Sequence, residues 1–321
     1  MKRRAALHAV HPLRLGLGPR LREAFGILMY HRIAPLAPGV PDPTWNVTPE
    51  RFRSQLAGLL ASGYWAWPLR KVLEFHGRGR PVPRHVFVVT FDDGYDNVFR
   101  HAWPVLQELR VPATVFLATA CLDSNVPFPC DDWTAAGSDR VPASHWRPLS
   151  TAQCRVMSAD GLIELGTHTH THGDFRGRPD ELTDDLKTSL HVLRDRFGLT
   201  DATFAFPYGT RHLGFSGPEL SAAAREAGVL CSLTTEDELV TPQVDPFEWG
   251  RFTAEDDDTA ATLSAKLDGW YTAVRSIWRG VRGLKSQITS TRSQTNHKLQ
   301  VFKPEAHESP DLNRTTIPIQ R

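Results

Sequence analysis

The sequence has few of the residues that mark disulfide-stapled proteins. Only four of its 321 residues are cysteine, at positions 121, 130, 154 and 231. Their spacing contains no CxxC pair and lacks the density of a small secreted scaffold. We therefore expect reduced thiols, although Cys121 and Cys130 flank one predicted loop and could form a bridge under oxidation.

Long apolar runs and an excess of charge are also missing. No stretch approaches the roughly 20 apolar residues that a bilayer span requires. The 37 basic and 36 acidic residues leave a net charge of +1 and no basic stripe to bind phosphates. We therefore expect no nucleic-acid partner.

Residues 1–25 are predicted to form an N-terminal arm. Met1-Lys2-Arg3-Arg4 imitates the start of a signal peptide, but His8, His11 and Pro12 interrupt any apolar run that would follow. A cytoplasmic location is therefore expected. Residues 1–22 contain five arginines and one lysine among leucine and alanine, so a helix on a membrane surface is the alternative to a mobile arm.

From residue 26 onwards, short apolar runs alternate with longer segments of helical period. This alternation predicts an α/β fold in which helices wrap a parallel sheet, and its length favours a closed or nearly closed barrel with functional residues at the carboxyl ends of the strands. The predicted strands are 26–33, 85–91, 113–119, 162–166, 203–206 and 229–234. The predicted helices are 49–62 with Thr48 as its N-cap, 95–109, 151–160, 181–197 and 217–227.

A long amphipathic helix is predicted over Asp257–Lys285, because Leu263, Leu267 and Trp270 recur near one face. We expect it to pack on the barrel or to extend towards a partner. Residues 286–321 are polar, show no sustained period and are predicted to be a disordered tail. The chain is thus divided into the arm, a main domain over 26–255, a C-terminal helix over 256–285 and the tail.

The most informative stretch is Val88-Val89-Thr90-Phe91-Asp92-Asp93-Gly94, an apolar strand that ends in two adjacent carboxylates and a glycine. Two like charges side by side are unfavourable unless a positive group lies close to them. A metal ion would relieve the repulsion, with one carboxylate binding the ion while its neighbour accepts a proton. A turn that caps a helix beginning near Tyr95 explains the same residues equally well.

A second strand ends in Thr167-His168-Thr169-His170-Thr171-His172, with three histidines in five residues. One helical turn would bring His168 and His172 to a single ion, and neutral imidazole nitrogens are good zinc ligands. His170 would point away in such a turn, so we do not expect it to be a ligand. A solvated polar loop is the alternative interpretation.

Both stretches resemble motifs of the polysaccharide deacetylases that share the NodB homology domain (carbohydrate esterase family four). Thr90–Gly94 is similar to the TFDDG block of that family, and His168–His172 is similar to its H-[S/T]-x-x-H block. The resemblance extends over roughly residues 26–255 and implies a distorted (β/α) barrel of the polysaccharide deacetylase type.

The resemblance also implies roles for the residues of these two blocks. Asp92 would be the general base. Asp93, His168 and His172 would bind a divalent metal ion, which we expect to be Zn²⁺.

Two later segments match the family only in part. Phe204-Ala205-Phe206-Pro207-Tyr208-Gly209 resembles an Arg-x-Pro-Tyr block, but Ala205 stands where the arginine that orients the catalytic aspartate would be. Tyr208 is retained, and the resemblance implies that its backbone N–H contributes to an oxyanion hole. Arg251 is a candidate to replace the missing arginine; the alternative is that Trp249 belongs to the core and Arg251 is a surface charge.

The last motif of the family, a Leu-x-Leu-x-His strand that supplies the general acid, is absent from the sequence. After Arg251 the only histidines are His297 and His307, both in the poorly patterned tail. His31, at the end of the first predicted strand, is the remaining candidate for protonating the leaving amine. A hydrogen-bonded core histidine is the alternative role.

The resemblance implies a metal-dependent hydrolase that removes N-acetyl groups from an amino-sugar-containing polysaccharide or glycan precursor. The missing arginine and acid motif leave open a catalytically impaired member that only binds carbohydrate. Two histidines and a carboxylate also describe the facial triad of non-haem iron oxygenases, a third possibility.

Overall fold

The computed structural model describes residues 23–133 and 141–270, which form a curled parallel sheet with helices packed on its outer face. The strands are β1 (Gly26–Tyr30), β2 (Arg32–Ile33), β3 (Asn46–Val47), β4 (Trp65–Ala66), β5 (Val86–Phe91), β6 (Ala113–Leu117), β7 (Ile163–Thr167), β8 (Phe204–Ala205), β9 (Ser232–Leu233) and β10 (Phe252–Thr253). The helices are α1 (Pro49–Ala61), α2 (Leu69–Gly77), α3 (Trp103–Leu109), α4 (Thr151–Ser158), α5 (Pro179–Phe197), α6 (Pro218–Ala227) and α7 (Ala260–Leu267).

The main sheet has the order β10-β1-β5-β6-β7-β8-β9, with β4 paired to the start of β5, and all of these pairs are parallel. Residues 249–253 bring its two edges together. Trp249 forms a bridge with Leu233 of β9, and Phe252 of β10 pairs with Leu28 of β1. The predicted α/β fold, a distorted barrel of parallel strands, is confirmed.

Alternation along the strands separates the apolar side chains into two layers. On β5, Val86 and Val88 point into the barrel, whereas Phe87, Val89 and Phe91 pack beneath the outer helices. The inner layer draws buried side chains from several strands: Ile27, Phe116, Ala205, Leu233 and Trp249. The inward face of β5 continues through Thr90 to Asp92, so the barrel itself directs a carboxylate to its carboxyl end.

The boundaries of several predicted elements change in the structure. The first predicted strand breaks at His31, where the chain leaves β1 and continues in β2, which pairs with β3. Thr48 precedes α1 but does not cap it, because its hydroxyl donates to Asp256 instead. The predicted helix 95–109 is confirmed, since the chain is helical from residue 96 to Leu109, with a wider turn over Val98–Ala102 before α3. The short elements β4, α2 and β10 were not predicted.

The predicted C-terminal helix is wrong in its described part. α7 covers only Ala260–Leu267, and a turn with Gly269 at φ +80° follows it, because a left-handed residue cannot continue a right-handed helix. Leu263 of α7 lies in the same buried cluster as Phe52 of α1, so this helix packs on the barrel exterior. Residues 271–285, most of the predicted arm and the predicted tail lie outside the described residues.

None of the helices in residues 23–133 and 141–270 combines the length and the apolar character needed to cross a membrane.

Gly166 of β7 provides a test of the inner packing. A Cβ atom at this position would lie 2.6 Å from the Phe116 ring and 2.9 Å from the Thr203 carbonyl oxygen. We expect Gly166→Ala to lower the free energy of unfolding by about 1–3 kcal/mol, the usual cost of overpacking. Urea denaturation measures this change. Gly77→Ala is the control, because a Cβ there meets no atom within 4 Å; equal effects of the two substitutions would contradict the packing argument.

Candidate metal centre and catalytic site

A tight turn at the end of β5 brings the two aspartates to the mouth of the barrel. The Gly94 N–H donates to the Asp92 carbonyl oxygen at 2.8 Å, so Asp93 is the central residue of a three-residue turn and adopts φ +67°. Both carboxylates are buried and engaged by basic side chains. The chain becomes helical at residue 96, directly after Tyr95, but the Asp92 and Asp93 carboxylates pair with Arg251, His168 and His172.

The outer two histidines of the triplet converge on Asp93. His168 Nε2 lies 3.3 Å and His172 Nε2 lies 3.2 Å from Asp93 Oδ1. His168 follows β7, and its Nδ1 lies 2.7 Å from the Ala205 carbonyl oxygen. A carbonyl can only accept, so this contact places a proton on Nδ1 and leaves the Nε2 lone pair free in the neutral ring.

The histidine segment is a loop rather than the helical turn that its spacing suggested. Thr169 and His172 have φ values of +68° and +56°, and the His172 N–H donates to Thr169 Oγ1 at 2.9 Å. Asp185 of α5 accepts hydrogen bonds from the backbone of His170 and from Thr171. The His170 ring contacts Thr119 Oγ1 at 2.9 Å instead of Asp93, in agreement with its predicted exclusion from the ligand set.

The contacts that Asp93 Oδ1 makes with each of the two histidines suit a small divalent cation. Zinc binds imidazole nitrogen and carboxylate oxygen at about 2.0–2.2 Å, so neighbouring donors of a tetrahedral site lie about 3.3 Å apart. The contacts of Asp93 Oδ1 with His168 and His172 have this length. One carboxylate and two neutral imidazoles are also a donor set that zinc accepts.

The pKa shifts of Asp93 and His172 indicate which positive charge a metal ion would replace. Burial tends to raise the pKa of Asp93, but its side-chain interactions with His168 and His172 outweigh it and hold the pKa well below its usual range. Burial tends to lower the pKa of His172, but its hydrogen bond with Asp93 outweighs this and raises the pKa well above its usual value. In the metal-free protein a proton therefore provides the positive charge that a metal ion would bring.

Asp92 has a separate partner, Arg251, which lies in the segment that joins the sheet edges. Arg251 donates to both carboxylate oxygens, at 2.6 and 2.7 Å, and neither side chain is more than 2% exposed. The guanidinium also donates to Thr90 Oγ1 and to the Thr234 carbonyl oxygen. Arg251 therefore contacts Asp92 as the missing arginine would, and the alternative of a surface charge is wrong.

This pairing sets the charge of Asp92. Burial tends to raise its pKa, but the charges of Arg251 and His168, together with the Arg251 hydrogen bond, lower the pKa below its ordinary value. Asp92 is thus an ionised carboxylate at neutral pH. Its orientation is fixed by the planar Arg251 guanidinium, which donates a hydrogen bond to each carboxylate oxygen.

Tyr208 lies next to His172. The Gly209 N–H donates to the Pro207 carbonyl oxygen at 2.6 Å, and Tyr208 between them has φ +62°, the same kind of turn as at Asp93. Its ring centroid is 5.2 Å from that of His172, edge to face. The ring contact places this turn next to His172.

His31 lies at the break between β1 and β2. Burial lowers its pKa, against the opposing charges of Asp93 and Asp92. Its Nδ1 is buried and has no hydrogen-bond partner among the described residues. That finding removes the alternative of a core histidine held by a hydrogen bond at this atom. The roles of His31, Asp92 and Tyr208 in catalysis, and of the three metal ligands, remain predictions.

Two residues near the site were not predicted from the sequence. Cys130 Sγ lies 3.8 Å from His172 Nε2. Trp45 is 52% exposed and stacks on His31, with ring centroids 5.8 Å apart. Neither belongs to a motif, and the only available signal for Cys130 was its place in a loop that follows β6, whose carboxyl end borders the site.

The Asp92–Arg251 pair generates a stability prediction. Arg251→Met leaves a buried carboxylate without a partner, so we expect the free energy of unfolding to fall by about 3–5 kcal/mol. Urea denaturation of metal-free protein checks this. The double variant Asp92→Asn/Arg251→Met should be more stable than Arg251→Met because no buried charge remains. Arg78→Met is the control, since the Arg78–Glu74 pair is exposed; equal losses for Arg251→Met and Arg78→Met would refute the argument.

Known proteins share this sequence pattern. Residues 79–229 match the sequence profile of the family described as polysaccharide deacetylase. The chain is 25% identical over 235 residues to the poly-beta-1,6-N-acetyl-D-glucosamine N-deacetylase of Staphylococcus epidermidis, over 70% of this chain and 73% of that protein. The protein of the same name from Escherichia coli K12 is 31% identical over 124 residues, which cover 39% of this chain and 18% of that protein.

Solved structures share the fold. The Streptococcus pyogenes deacetylase PplD, in complex with acetate, superposes with a TM-score of 0.62 at 19% identity, over 77% of this chain and 99% of that chain. IcaB from Ammonifex degensii gives the same TM-score at 23% identity, over 78% of this chain and 97% of that chain. These structures establish the architecture, and the sequence profile adds the family. The match over residues 79–229 confirms the resemblance to the polysaccharide deacetylases that the sequence motifs indicated.

Proposed function

We propose that this chain is a metal-dependent hydrolase that removes N-acetyl groups from an N-acetylglucosamine polysaccharide. The observation that carries the proposal is the contact of Asp93 with both His168 and His172, next to the ionised Asp92. The Staphylococcus epidermidis and Escherichia coli relatives, named as deacetylases of poly-beta-1,6-N-acetyl-D-glucosamine, support the choice of substrate class.

Asp93, His168 and His172 would hold the cation, which supplies Lewis acidity to the acetamide carbonyl and to water. Asp92 is the base that removes a proton from the attacking water. Its bond to Arg251 keeps the carboxylate ionised and fixed in orientation. The Tyr208 N–H, presented by its strained turn, stabilises the negative charge that develops on the carbonyl oxygen.

The departing amine requires a proton, and His31 is positioned to supply it. Its buried Nδ1 has no partner in the described residues, and the lowered pKa of the ring makes its protonated form a stronger acid. The exposed indole of Trp45, stacked on His31, offers a flat apolar surface beside the site for a sugar ring.

The two other functions expected from the sequence have less support. A catalytically impaired sugar-binding protein was considered because Ala205 replaces an arginine, and Arg251 now contacts Asp92 in its place. A non-haem iron oxygenase has no use for a second, ionised aspartate beside the ligand set. The match to the polysaccharide deacetylase family also favours hydrolysis.

Metal removal and Asp92→Asn test the core of the proposal. Chelation should abolish acetate release from N-acetylglucosamine oligomers, and added zinc should restore it. Asp92→Asn should lower acetate release by about 10²–10⁴-fold, the usual contribution of a general base, without changing the metal content of the protein. Acetate assays and elemental analysis measure both effects. Full activity in the chelated protein or in Asp92→Asn would refute the assignment.

Comparison of two substrates tests His31 as the acid. A sugar amine must be protonated to leave, whereas the phenolate of an aryl acetate leaves without a proton. His31→Gln should therefore lower deacetylation of the amide by about 10²–10⁴-fold and leave hydrolysis of the aryl acetate nearly unchanged. His191→Gln, at an exposed histidine of α5, is the control and should leave both activities unchanged. An equal loss on both substrates would show that His31 only maintains the site.

A further inference from the structure

Cys130 places a sulfur atom among the converging donor groups. One oxygen of Asp93, the Cys130 sulfur and one nitrogen of His172 all lie within 4.8 Å of one another. The Cys130 Sγ to His172 Nε2 distance is 3.8 Å. Zinc binds cysteine sulfur at about 2.3 Å and imidazole nitrogen at about 2.0 Å, so two such donors on one tetrahedral ion lie about 3.6 Å apart. The observed separation is close to that value.

The loop that carries Cys130 is anchored immediately next to it. The buried Arg32 guanidinium donates to Asp131 and to Asp132, each at 2.7 Å. Asp131 also accepts from the Tyr95 hydroxyl at 3.0 Å.

On the other side of Cys130, the Phe128 ring packs edge to face against Tyr95, with centroids 4.7 Å apart. A buried ion pair and an aromatic contact therefore flank Cys130 in sequence. The sulfur is held beside His172 by residues whose partners belong to the body of the barrel.

We infer that Cys130 is a fourth protein ligand to the metal ion, in addition to Asp93, His168 and His172. On binding, a sulfur lone pair forms the bond to the cation and the thiol proton is released to solvent. This inference rests on the proposed metal-dependent function, and it adds a soft donor that favours zinc, cobalt and cadmium over magnesium and calcium.

A sulfur ligand has a consequence for how the site is filled. Sites with four protein ligands are closed, whereas catalytic zinc sites keep one position for water or substrate. The Cys130 side chain is on an exposed stretch of its loop, unlike the buried ligands from the barrel. A metal ion held by Cys130 as well as the other three would be closed on its exposed side by the sulfur, which water or the acetamide would have to displace.

Cobalt substitution of the full chain tests the inference directly. Thiolate bound to Co²⁺ gives a sulfur-to-metal charge-transfer band in the near ultraviolet, which carboxylate and imidazole ligands do not produce. We expect this band in the wild-type protein and its loss in Cys130→Ser. We also expect Cys130→Ser to weaken zinc affinity by at least about tenfold, measured by competition with a chromophoric chelator.

Cys121→Ser is the matched control, because Cys121 is a free thiol at the start of the same loop region. It should retain both the charge-transfer band and the zinc affinity. A wild-type protein that binds one Co²⁺ without the band, or a band that persists in Cys130→Ser, would overturn the ligand role and leave the proposed function intact. Failure to bind Co²⁺ at all would overturn both.

Discussion

Two adjacent carboxylates at the end of one buried strand require positive partners, and this requirement organises the site. A buried anion without a partner is strongly unfavourable, and a like charge beside it adds to the cost. The barrel meets the requirement in two ways. Asp92 receives a permanent charge from Arg251, and Asp93 receives an exchangeable one from a proton or a cation shared with His168 and His172. This difference between a permanent and an exchangeable partner supports the proposed division of roles, with Asp92 as base and Asp93 as ligand.

Part of the free-energy cost of this arrangement lies in unfavourable backbone conformations. Eight non-glycine residues in the described ranges have positive φ, and four of them, Asp93, Thr169, His172 and Tyr208, lie at the site. Such conformations are unfavourable for residues with a Cβ and persist where the surroundings impose them. Here the surroundings are the strand ends, the hydrogen bonds of Asp185 and the packed inner layer of the barrel. In a regular strand, adjacent side chains such as those of Asp92 and Asp93 point to opposite faces. The turn at Asp93 instead brings both to the mouth of the barrel.

Much of the architecture could be predicted because apolar periodicity repeats along the chain. The strands β5, β6 and β7 and the helices α1, α5 and α6 are long enough for their period to be read, and the acidic and histidine motifs follow β5 and β7 directly. The two-residue strands β4 and β10 carry too few residues to show alternation. The contact of Arg251 with Asp92 depends on β10, since only a strand at 252–253 turns Arg251 inward beside Trp249. Cys130 approaches the site through a loop, for which no periodic signal exists.

The segment that joins the two edges of the sheet also supplies the counter-ion of Asp92. Leu233 pairs with Trp249, Leu28 pairs with Phe252, and Arg251 lies between these contacts. During synthesis, β5 leaves the ribosome some 160 residues before this segment, so its terminal acid stays without a guanidinium until the last strand docks. Closure of the barrel and fixing of the Asp92 carboxylate therefore occur together, because one segment provides both.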